Sequence, residues 1–223
     1  MPMDVARVVD PYKPEWVAML FLIVVAALAW TNVNSPRKWR LLAQAAFRMR
    51  LGKQVLREEA ALRDRTFLGL VLVAMAVLSL FLWQRLGADQ GLAGYATLAS
   101  MACLLVLAHI VIVEVLSWLF QADGGLHEHL TTGLLLLILT GMVLLPITML
   151  VAYRPDQRPL LLILGTVLIL VLVVYRWVRG LWIGLSEQVP LRYIILYLCA
   201  AEAVPLAFLW RSLIVPLSAH PHP

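Results

Sequence analysis

Residues 160–177 read LLLILGTVLILVLVVYRW, eighteen positions whose only charge is Arg176. Wound as an α-helix at 1.5 Å per residue the stretch is about 27 Å long, close to the thickness of a hydrocarbon core. A segment this apolar is placed in lipid rather than water. Lipid supplies no hydrogen bonds to the backbone, so a helix is the form that satisfies every N–H and C=O within the segment.

Working outward, the pattern recurs along the chain. Apolar runs fall at about 16–32, 67–83, 95–120, 130–153, 160–177 and 191–214. The sequence therefore predicts one all-α membrane domain over 1–223, a bundle of about six transmembrane helices. Composition agrees: of 223 residues 62% are hydrophobic and only 14% charged, with a mean hydropathy of +0.88. Those values lie well outside the range of soluble domains.

The first run ends in Ala27-Leu28-Ala29, which resembles a signal-peptidase site. A cleaved signal peptide carries a basic leading region, however, and this one mixes Asp4, Asp10 and Glu15 with Arg7 and Lys13. The cluster Arg37-Lys38-Trp39-Arg40 resists translocation, so the run reads as an anchor.

Residues 35–65 are the long polar stretch. Trp39, Leu42, Ala43, Ala46 and Phe47 recur at helical spacing among Arg40, Arg48, Arg50 and Lys53. Ser35-Pro36 offers a cap followed by a proline in the first turn, and Gly52 weakens the continuation into Leu56-Arg57-Glu58-Glu59. The pattern predicts a cytoplasmic amphipathic helix lying on anionic headgroups. A surface made of Arg37, Lys38, Arg40, Arg48, Arg50 and Lys53 would also suit another membrane or cytoplasmic protein.

The net charge of +5 does not point to nucleic acid, because nine of the eighteen Lys and Arg lie between Arg37 and Arg65, flanking two apolar runs. In a six-span arrangement one side gains Arg176, Arg179 and Arg192, while the other holds Arg7, Lys13, Arg85, Arg154, Arg158 and Arg211. The excess sets the 37–65 segment in the cytoplasm, with both termini outside a bacterial cytoplasmic membrane.

Ionisable groups within a span are costly and generally turn toward a partner. Here they are His109, Glu114 and Glu202, with Arg176 and Arg179 toward one end of the fifth run. His109 and Glu202 both fall about 15 Å deep at 1.5 Å per residue, so the two can meet. Glu114 sits nearer the level of Arg176 and Arg179, which makes it a candidate ion-pair partner for either. A Glu202 without a neighbour would be held neutral, and a neutral acid beside a histidine is what a proton relay uses.

Pro146 and Pro205 each remove a backbone donor within a run, as ordinary kinks do and as interruptions in transporters also do. His127-Glu128-His129 has ligand-type residues, but alternate helical positions point apart and no third ligand is near, so no metal is expected. Cys103 and Cys199 read as small hydrophobes. No phosphate loop, nucleophile elbow or paired-cysteine motif occurs, so the reading contains no catalytic residue, no cofactor and no enzyme.

Three stretches carry a family resemblance. They are the basic segment leading into Leu56-Arg57-Glu58-Glu59, the stretch Tyr175-Arg176-Trp177-Val178-Arg179-Gly180, and Tyr197-Leu198-Cys199-Ala200-Ala201-Glu202-Ala203-Val204-Pro205. In these the chain resembles an uncharacterised family of bacterial polytopic membrane proteins, a domain of unknown function. The last stretch is the most specific, since glutamate three residues before proline inside a span is unusual, and His127-Glu128-His129 lies outside the shared pattern. The resemblance implies a small multi-span protein of the bacterial inner membrane and supplies no activity. Two functions remain in view. One is an accessory, scaffold or assembly partner of a cell-envelope complex; the other is a small proton-coupled transporter using Glu202 and His109.

Overall fold

A computed structural model describes residues 10–34, 65–86, 91–120 and 125–186. The expected sixth run, 191–214, and the basic stretch from Arg37 to Lys53 lie outside the described residues, as does Glu202. Within the described residues there are five long helices and no strand. They are α1 (Glu15–Asn34), α2 (Arg65–Leu86), α3 (Gly91–Phe120), α4 (Gly125–Tyr153) and α5 (Arg158–Ser186). Each is long and apolar enough to cross a membrane.

The helix ends refine the sequence boundaries. Helix α3 starts at Gly91, four residues before the apolar run, and Gly91 takes a left-handed φ of 61°. Only a residue without a Cβ adopts that conformation at little cost. A single 3₁₀ turn, Pro155–Gln157, links α4 to α5, and Pro159 sits in the first turn of α5, where its missing N–H costs nothing. The stretch around Arg179 and Trp182 continues α5 without interruption to Ser186. Its backbone bonds are made along the same ladder, and Gly180 is not enough to break it.

From α2 to α5 the helices follow one another within a few residues, the spacing that joins antiparallel neighbours. Helices α2 and α4 form the central pair: half of the apolar stretch of each is buried, against 22% for α1, 11% for α5 and 6% for α3. Three layers fill the interior along the bundle. Phe67, Leu70, Ala74 and Met75 of α2 meet Leu135 and Ile138 of α4. Val24, Val77 and Phe81 meet Leu144, Ile147, Val151 and Leu161. Val17, Phe21, Leu80 and Trp83 meet Ala152.

Close approach is set by glycines on two helices. A Cβ at Gly141 would lie 2.5 Å from the Ala74 Cα, and one at Gly165 would lie 2.4 Å from the Phe81 ring. Small residues at the crossing let backbones touch, which is how helices gain dispersion energy where lipid is as apolar as leucine. Helix α4 runs through Pro146 without ending. Nearby, the Thr148 hydroxyl donates to the Leu145 carbonyl at 2.8 Å, and the buried Gln84 amide donates from α2 to the Thr148 carbonyl at 3.1 Å. The proline leaves the ladder one donor short in this turn, and these side-chain bonds brace it.

At the end of the bundle where α4 turns into α5, the residues preceding α1 are clipped to the turn. Arg158 Nη2 donates to the Asp10 carboxylate at 2.6 Å, and Arg158 Nε donates to the Val151 carbonyl at 3.1 Å. The same guanidinium lies 4.1 Å from the Tyr12 ring centroid, and Lys13 Nζ lies 4.9 Å from that of Tyr153. Beneath the clip Trp16 stacks edge-on against Trp83 at 4.9 Å and beside Tyr95 at 5.1 Å.

The hydrogen bond from Arg158 holds the Asp10 carboxyl below its ordinary value. A carboxyl depressed on folding adds stability that is present above the unfolded value, about 3.9, and is lost as pH falls through the folded one. With Asp10 about one-third exposed, solvent screening keeps the pair below about 1 kcal/mol. Asp10→Asn is therefore expected to remove a small part of the stability lost between pH 5 and pH 3, read as a shallower drop in melting temperature than the native protein shows across that window.

Candidate functional site

The most polar place inside the described bundle is a layer toward the opposite end, where α3, α4 and α5 meet. Arg176 Nη2 of α5 lies 2.9 Å from His109 Nε2 of α3. A guanidinium only donates, so His109 Nε2 accepts, and the ring proton must sit on Nδ1. His109 is thereby the neutral tautomer.

The third wall is glycine. A Cβ at Gly133 of α4 would stand 3.1 Å from Arg176 Cζ, so the guanidinium lies flat on bare backbone. The neighbouring Thr132 is 3% exposed, and its hydroxyl oxygen has no hydrogen-bond partner among the described residues. One turn on, Arg179 is buried at 1% exposure. Arg176 lies ten residues from the end of α5, His109 eleven from the end of α3 and Gly133 eight from the start of α4. At 1.5 Å per residue all three stand about 12–16 Å from the helix ends, well inside an apolar slab.

Of the residues singled out from sequence, His109 and Arg176 are brought together and Arg179 is buried one turn away. Glu114 lies on the exposed side of α3, next to the buried Val113. Glu202 and the Arg37–Lys53 set are outside the described residues. His127, Glu128 and His129 fall at the start of α4. No group of three or more His, Cys, Asp or Glu is placed to hold a metal among the described residues.

Sequence reasoning missed Gly133, Thr132 and the Arg176–His109 link. The signal was present as Thr131-Thr132-Gly133 inside an apolar run, a cluster of small and polar residues of the kind that marks helix interfaces in lipid. The Asp10–Arg158 clip joins residues 148 apart in sequence and has no local signature.

The outer faces complete the picture. Leu104, Leu107, Val111 and Val115 of α3 and Leu160, Ile163, Val167, Leu170 and Val171 of α5 are exposed. So large an apolar surface is unsuited to water and suited to acyl chains. Trp30, Trp118 and Trp182 are exposed near the same end of α1, α3 and α5, the position of an interfacial aromatic belt. Five apolar helices, lipid-compatible flanks and a polar layer between helices define a polytopic α-helical membrane protein.

Within that class, the model of the family described as domain of unknown function (DUF4271) matches residues 17–213, and the chain belongs to this family. No curated protein and no solved structure matches it.

Proposed function

We propose that the protein is a non-enzymatic accessory, scaffold or assembly partner of a bacterial cell-envelope complex, seated in the cytoplasmic membrane with both termini outside. The observation that supports this most directly is the use made of His109. Its Nε2 is spent on Arg176, and the pair joins α3 to α5 across the bare backbone of Gly133. The Gln84 amide likewise links α2 to α4. Polar groups used in this way fix a shape.

The interior agrees. The crevice where α1, α2 and α4 meet is lined by Leu28, Leu70, Val77, Ile138 and Met142, among others, and is too small for a water molecule. A rigid, lipid-facing bundle presenting a basic segment suits a protein that holds others in place. Its partners would be anionic headgroups at the 35–65 segment and a membrane or cytoplasmic protein bearing acidic residues, with no nucleic acid, no cofactor and no metal.

Replacing Arg37, Lys38, Arg40, Arg48 and Arg50 by Glu is expected to release a partner that co-purifies with the native protein in mild detergent, while the melting temperature changes little. A native protein that purifies alone under those conditions would remove the support for this reading.

A further inference from the structure

The segment Asp10-Pro11-Tyr12-Lys13-Pro14 enters α1 on hydrogen bonds of its own. The Lys13 N–H donates to the Asp10 carbonyl at 3.1 Å, the Tyr12 N–H to the Asp10 carboxylate at 3.1 Å and the Val17 N–H to the Pro14 carbonyl at 3.0 Å. Pro11 and Pro14 have fixed φ and no N–H, so the segment is a stiff local turn. Side chains tie it to the rest of the bundle: Asp10 on Arg158, Arg158 on Tyr12 and Lys13 on Tyr153. The ion pair among them is part-exposed, and such pairs are weak and screened by salt.

Beneath this turn lies a stranded polar group. Trp83 is fully buried, and Tyr12 and Trp16 pack against the cluster that contains it. Its indole Nε1 has no hydrogen-bond partner among the described residues, and neither have Ser79 Oγ and Gln84 Oε1 on the same helix. Trp83 is three residues from the end of α2, about 4.5 Å along the axis. At that level an indole N–H ordinarily meets water or a headgroup. A buried donor without an acceptor favours any conformation that hydrates it. Weak contacts therefore hold a cover over a group that gains by its removal. The body of α1 is anchored separately, through the buried Val17 and Phe21.

We infer that residues 10–16 form a lid over the end of α2, latched by Asp10 on Arg158 and hinged where Trp16 meets Val17. Closed, the lid sets Trp16 edge-on against Trp83 and seals the indole in. Open, it gives the Trp83 N–H to water while α1 stays packed from Val17 onward. The device goes beyond the scaffold reading and does not depend on it, since no partner protein takes part.

The test follows deuterium exchange at the tryptophan indole N–H groups of the full chain, labelled with nitrogen-15 and held in detergent micelles. Trp83→Phe identifies the Trp83 signal. In the native protein that proton is expected to be protected at least about tenfold less than the α2 backbone amides around Leu80, because the lid opens without unfolding the bundle. Asp10→Asn is expected to speed its exchange about two- to fivefold, what an exposed ion pair supplies, with the exposed Trp30 and Trp118 unchanged. Raising the salt from about 0.05 M to about 0.5 M is expected to do the same to the native protein and little to Asp10→Asn. A Trp83 proton as protected as the α2 amides, or one indifferent to both Asp10→Asn and salt, would overturn the lid. Should Asp10→Asn not fold, the salt series on the native protein decides.

Discussion

Gly141→Ala is expected to be among the most damaging one-carbon changes in this protein. The added methyl would sit 2.5 Å from the Ala74 Cα and 2.7 Å from its Cβ, distances that real contacts do not allow. The obstacle is backbone, so no side chain can swing aside, and α2 and α4 must separate. These two helices carry the most extensive packing in the bundle. Inserting a carbon into a well-packed core costs about 1–3 kcal/mol, and this site belongs at the upper end because nothing flexible can yield. Gly69→Ala supplies the control, since nothing lies within 4 Å of a Cβ there. Relieving glycine's entropy at such a helical site is expected to gain about 0.5–1 kcal/mol. The same substitution thus has opposite signs at Gly141 and Gly69, read as melting temperature or as the midpoint of a denaturing-detergent titration. Equal effects would mean that the α2–α4 crossing is looser than described.

His109→Leu is expected to have the second large effect. It removes the acceptor 2.9 Å from Arg176 Nη2 and breaks the polar link between α3 and α5. Losing a hydrogen bond from a charged donor costs about 1–3 kcal/mol. His109→Gln tests the mechanism, because its carbonyl oxygen can replace Nε2 as acceptor while its amide donates elsewhere. Most of the stability lost in the leucine variant is expected to return with glutamine. If glutamine is as damaging as leucine, ring packing rather than the hydrogen bond is what His109 provides.

Much of this architecture was legible before any coordinates. A run such as 160–177 has one solution in lipid, and its length alone predicts a helix. The five described helices fall where the runs fall, with ends shifted by a few residues to one or two turns. Those shifts come from local chemistry too fine for hydropathy, such as the left-handed Gly91 and the 3₁₀ turn at Pro155–Gln157. The site was only half legible. His109 and Arg176 stood out because ionisable residues are rare in such runs, but nothing in the sequence linked these two to each other. Counting along helices yields height and says nothing about which helices are neighbours or which way a side chain faces around an axis.

Hydropathy, helix length and the distribution of Lys and Arg determined by themselves that this chain is a helical membrane bundle with a basic segment following its first helix. These are properties of single segments in a solvent, and each segment's transfer energy depends only on its own residues. Tertiary structure decided which pair lies at the centre, that Gly141 rests on Ala74, that Asp10 reaches Arg158, and that Arg176 lies between His109 and Gly133. Those outcomes depend on how helices rotate and cross. In lipid no difference in hydrophobicity selects one apolar face over another, so the choice falls to close packing and to the few polar groups that must find each other.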